Sequence, residues 1–149
     1  LVESIEDRSG PAGSRFSGYA GAAGPLASPV SLATVEAEEI QRTPCGLEEF
    51  DRVLGGGLVP GSAVLIGGDP GIGKSTLLLQ TVSALSQHHS VLYITGEESI
   101  TQVSLRARRL HLPCETLQIL AETELERILA TADHHKPAYL VVDSIQTVY

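Results

Sequence analysis

Gly68-Asp69-Pro70-Gly71-Ile72-Gly73-Lys74-Ser75 is the stretch that decides how this chain folds. It matches the phosphate-binding pattern Gly-x-x-x-x-Gly-Lys-Ser/Thr completely. The residue types follow from the chemistry. Glycines let the backbone curl so that successive N–H groups point at phosphate oxygens. Lys74 sets a compact positive charge against the β- and γ-phosphates, and Ser75 offers a hydroxyl oxygen to magnesium. A helix starting here adds its positive end. The pattern predicts a site for a nucleoside triphosphate with Mg2+. Its phosphates would be held by Gly68, Asp69, Pro70, Gly71, Ile72, Gly73, Lys74, Ser75 and Thr76.

The flanks agree with the motif. Ser62-Ala63-Val64-Leu65-Ile66-Gly67 is a short apolar run that predicts a buried strand at 62–67. Leu77, Leu78, Val82 and Leu85 fall at helical spacing and predict a helix over about 74–86. A short helix is expected over 46–54, ended by Gly55-Gly56-Gly57. Further strands are expected at 91–95, 116–120 and 138–143, with helices at 100–110 and 122–133 between them. Alternating strands and helices with continuous apolar strands imply an α/β fold, a mainly parallel sheet covered on both faces.

Two further signals carry chemistry. Leu140-Val141-Val142-Asp143 is an apolar run ending in a carboxylate, the form of a Walker B strand whose Asp143 holds magnesium. Strand ends of one polarity collect on one sheet edge, so Asp143 is expected beside the phosphate-binding loop. Glu97 and Glu98 follow the strand at 91–95 and reach the same edge. One of the two can polarise the attacking water as a base while the other places charge at the start of the next helix. Glu97 is favoured as the base and Glu98 as the helix-start residue, an assignment the sequence leaves open.

Composition bounds the remainder. The 149 residues hold one ordinary domain at most, and 42% hydrophobic content is enough for a core. The chain opens at Leu1 without an initiator methionine and reads as a fragment. Residues 1–42, Gly-, Ala-, Ser- and Pro-rich from Gly10 to Pro29, are expected to form a flexible linker and domain edge before a domain at 43–149. A formal charge of -8 argues against a dominant nucleic-acid surface on this segment. Cys45 and Cys114 fit no metal spacing and read as free thiols in a reducing cytoplasm. No apolar run approaches the ~20 residues of a membrane span. Gln102, Arg106 and Arg109 share a helix face and read as a solvated basic surface.

The motifs together resemble the RecA-like P-loop ATPases of the bacterial RadA (Sms) DNA repair family. The resemblance rests on Thr43-Pro44-Cys45-Gly46-Leu47 through Pro60-Gly61-Ser62, on Gly71-Ile72-Gly73-Lys74-Ser75-Thr76, and on Tyr93-Ile94-Thr95-Gly96-Glu97-Glu98-Ser99. It extends through Leu105-Arg106-Ala107-Arg108-Arg109-Leu110 and Val141-Val142-Asp143-Ser144-Ile145-Gln146-Thr147-Val148-Tyr149, covering about residues 43–149. It implies a DNA-dependent ATPase of recombinational repair, a homo-hexamer when intact, acting on single-stranded DNA or recombination intermediates in the cytoplasm. It implies ATP and Mg2+ as ligands, with zinc only in an N-terminal module not present here. The fold it implies is a RecA-like core truncated after the Walker B strand, so the fragment alone is expected to be inactive. The competing readings are a KaiC-like signalling ATPase and a non-catalytic nucleotide-binding assembly module.

Overall fold

The computed structural model describes residues 31, 33 and 41–149. The chain divides into two units, 1–41 and 42–149. The Gly/Ala/Ser/Pro-rich stretch and nearly all of 31–40 lie outside the described residues. The second unit runs α1 (Glu48–Val53), α2 (Lys74–Ser86), β1 (Val91–Thr95), α3 (Ile100–Arg109), β2 (Gln118–Ala121), α4 (Leu125–His135) and β3 (Tyr139–Asp143). A single 3₁₀ turn, Ile145–Thr147, follows.

Val91-Leu92-Tyr93-Ile94-Thr95 is built from β-branched, aromatic and leucine side chains that suit a strand, and all five are buried. It is the central strand of a parallel sheet ordered β2-β1-β3. Alternation sends its side chains to opposite faces. Val91 and Tyr93 pack with Leu79, Val82 and Leu85 of α2 and Val103 and Ala107 of α3. Leu92 and Ile94 pack with Ile128 of α4, with Leu120, Val142 and Val148 alongside. Helices therefore cover both faces, as expected. A fully buried large apolar side chain contributes about 1.5–3 kcal/mol. β1 thus holds the sheet more strongly than β2 or β3, where no residue is fully buried.

Local chemistry explains the helix ends. Ser99 and Gln102 form a reciprocal capping box at the start of α3, whose last turn carries Arg106, Arg108 and Arg109. α4 begins at Leu125, three residues later than the sequence predicts. The Glu122 carboxylate instead accepts hydrogen bonds from the amides of Thr123 (2.9 Å) and Glu124 (3.1 Å). Those bonds hold its pKa below the usual carboxylate value. The end of the chain also occupies this segment: Tyr149 N donates to Thr123 O, and Leu125 N donates to Tyr149 O.

The strand expected at 62–67 does not form. Those residues belong to no sheet among the described residues, and Val64 and Leu65 are 46% and 84% exposed. Apolar, β-prone sequence shows that a segment suits a sheet, but it cannot supply the neighbouring strand that satisfies its N–H and C=O groups.

Leading into this segment, Thr43 and Leu58 form an isolated antiparallel bridge, with both N–H···O distances 2.8 Å. The Arg42 guanidinium donates to Leu54 O across the triple-glycine turn at 2.8 Å. Gly57 makes this closure possible. Its φ is +132°, and an added Cβ would lie 2.3 Å from Thr43 O. Gly57→Ala therefore combines a backbone clash with left-handed strain and is expected to cost about 2–3 kcal/mol. Gly67→Ala, with nothing within 4 Å of the added carbon, is the matched control. Denaturant midpoints of the two variants check this; equal midpoints would contradict it.

Candidate nucleotide-binding site

The direction of α2 decides where the loop lies. At its C-terminal end, Ser83 Oγ donates to Pro113 O and Thr116 Oγ1 donates to Ser86 O, both at 2.6 Å. Pro113 and Thr116 immediately precede β2, so this end sits at the N-terminal edge of the sheet. The 13 residues of α2 then run back about 20 Å, against about 17 Å for a five-residue strand. That direction points the N-terminus of α2, with Lys74 and Ser75, toward the edge where β1 and β3 end.

Gly73 caps α2 in a left-handed conformation, φ +103°, and turns the chain out of the loop into the helix. Lys74 Nζ folds over the loop and donates to the carbonyls of Gly68 (2.5 Å) and Asp69 (2.9 Å). The ammonium thus lies over the curled backbone, where a phosphate oxygen would compete for the same donor.

β1 and β3 bring their ends to this edge in register, Thr95 opposite Asp143. Gly96 N donates to Asp143 O at 2.9 Å, locking the two strand ends together. The Glu97 carboxylate accepts a hydrogen bond from Ser144 Oγ, so it lies against the residue after Asp143. Asp143 itself accepts from the Tyr93 hydroxyl at 2.5 Å. Burial, and then that bond, push the Tyr93 phenol above its usual pKa, so it stays a donor at neutral pH. The donor set fits magnesium: the Ser75 hydroxyl and the Asp143 carboxylate are hard oxygen ligands. A cleft of about 300 Å³ lies elsewhere, between residues 58–62 and Ala138-Tyr139 at the start of β3, and takes no part in this site.

A family model described as "ATPase: KaiC" matches residues 43–138. The chain belongs to the KaiC-type ATPase family. Among its relatives, the "DNA repair protein RadA" of Escherichia coli (strain K12) is 54% identical over 135 residues, covering 91% of this chain and 29% of that protein. RadA of Pseudomonas aeruginosa is 53% identical over 149 residues, covering 100% of this chain and 32% of that protein. RadA of Bacillus subtilis (strain 168) is 54% identical over 122 residues, or 81% of this chain and 27% of that protein. The chain thus spans about three tenths of the length of the curated relatives it matches. Within the KaiC-type family it is a RecA-like P-loop core resembling the RadA proteins.

Three features of this KaiC-type core are not evident in its sequence. Glu98 stands just before Ser99, which caps α3, and outside the first helical turn. It forms an ion pair with Arg106, with side chains 31% and 19% exposed. Arg106 is accordingly withdrawn from the basic surface expected with Gln102 and Arg109. Gln102 is in turn engaged by Ser99. Arg106 and Glu98 are eight residues apart, a separation no helical periodicity flags. The Tyr93–Asp143 bond spans 50 residues and requires the strand register. Cys45 is fully buried, and burial followed by the Asp51 carboxylate pushes its thiol up to about 12, leaving it protonated and inert. Cys45 and Cys114 are both free thiols. No helix among the described residues is long and apolar enough to cross a membrane.

Proposed function

We propose that this chain is the nucleotide-binding part of a cytoplasmic, DNA-dependent ATPase of recombinational DNA repair. The observation that carries this reading is the folding of Lys74 over the carbonyls of the phosphate-binding loop, together with the in-register ends of β1 and β3 that bring Glu97 beside Ser144 and Asp143. Lys74 and the backbone from Gly68 to Thr76 bind the phosphates of ATP. Ser75 and Asp143 hold Mg2+, which neutralises charge developing on the transferred phosphoryl group. Glu97 orients the attacking water and takes its proton. Relatives named DNA repair proteins support the repair role, and single-stranded DNA or recombination intermediates are the partner this reading proposes. The same relatives favour repair over the signalling alternative. The intact protein is read as a homo-hexamer.

The test is steady-state ATP turnover by the intact protein with and without single-stranded DNA. Mg2+-dependent turnover that rises with DNA is expected. Tight ATP binding without turnover under either condition would instead identify a non-catalytic assembly module.

A further inference from the structure

We propose that Tyr93 is a positioning residue for magnesium binding. Its hydroxyl holds Asp143 by Oδ2, so that Oδ1 is the oxygen presented to the metal of the bound nucleotide. This inference rests on the assignment of Asp143 as a magnesium ligand.

The geometry follows from the sheet register. Tyr93 lies opposite Val141, and Asp143 is two residues further along β3 on the same face. A tyrosine is long enough to reach such a diagonal neighbour across a ladder. Its hydroxyl meets Oδ2 at 2.5 Å. The ring is wholly buried and packs among Leu79 and Val82 of α2 and Val103 and Ala107 of α3. A ring fixed by packing on both helices fixes its hydroxyl, and the hydroxyl fixes the carboxylate. Asp143 stands at the last residue of β3. Without the tyrosine hydroxyl, its carboxylate would be free to choose among rotamers. Ligating carboxylates are commonly held by such outer hydrogen bonds, and removing one typically weakens metal binding ~10–100-fold.

A buried tyrosine hydroxyl also needs a partner simply to satisfy itself, so the test must read the metal rather than the fold. In the intact protein, binding of a fluorescent ADP analogue is measured in chelator and then across a Mg2+ titration. Tyr93→Phe is expected to leave metal-free affinity unchanged and to raise the Mg2+ midpoint ~10-fold or more. Asp143→Ala should raise that midpoint too, and adding Tyr93→Phe to it should change nothing further. An unchanged midpoint in Tyr93→Phe, with a raised one in Asp143→Ala, overturns the role of Tyr93 alone. An unchanged midpoint in Asp143→Ala overturns the ligand assignment beneath it.

A second measurement does not depend on the phenylalanine variant folding. With 3-fluorotyrosine at position 93, the fluorine resonance should move when Mg2+ is added to the ADP complex, and should not move in Asp143→Ala. A resonance indifferent to Mg2+ overturns the inference.

Discussion

Lys74→Ala is expected to lower ATP turnover by the intact protein ~10²–10³-fold, the usual loss when a donor aimed at developing charge is removed. The ammonium extends from the first residue of α2 over the loop, bonding Gly68 O and Asp69 O. No other lysine or arginine occurs between Arg52 and Arg106, so no neighbour in the loop or α2 can replace its charge. Its two hydrogen bonds are solvent-exposed, so the variant should keep the wild-type unfolding midpoint. Nucleotide affinity, turnover and denaturation measured together separate the two effects. Near-wild-type turnover with normal affinity would remove the phosphate-binding assignment.

Glu97→Gln should leave ATP affinity near wild type while turnover falls ~10²-fold or more, since a base is needed mainly in the transition state. Glutamine retains the oxygen that accepts from Ser144, so the loop should stay in place. Glu98→Gln is expected to behave in the opposite way. Its partner Arg106 is largely withdrawn from solvent, and glutamine keeps an acceptor but removes the charge, which costs roughly 1 kcal/mol there. That variant should unfold at lower denaturant concentration yet turn over ATP at a near-normal rate while folded. If Glu98→Gln abolishes turnover and Glu97→Gln does not, the two roles are reversed. If neither changes it, the base lies outside this segment.

Much of this arrangement is legible in the sequence because it is written locally. The extents of α2 and β1 follow from apolar spacing and from the glycine that precedes Lys74. The placement of Asp143 follows from a run of apolar residues closed by one carboxylate. What is not legible depends on partners distant in the chain. Tyr93 reads as an ordinary core aromatic until β3 is paired beside it. Glu98 reads as a helix-start acid until Arg106 comes round on α3. Segment 62–67 reads as a core strand because its composition suits one, yet composition says nothing about which backbone will pair with it.

That segment has a thermodynamic consequence for the loop it carries. Residues 63–67 make no backbone hydrogen bond among the described residues, whereas α2 is anchored in the core by Leu79, Val82 and Leu85. The phosphate-binding loop is therefore tethered firmly on one side only. A ligand that grips both sides must restrict the free one, at about 1–2 kcal/mol for each residue whose backbone it fixes. A strand that paired with 63–66 would impose that order beforehand and raise nucleotide affinity. Linkage makes the effect reciprocal: bound nucleotide must tighten the strand pairing by the same factor. Any such pairing and occupancy of the loop would then be one coupled equilibrium, read from either end.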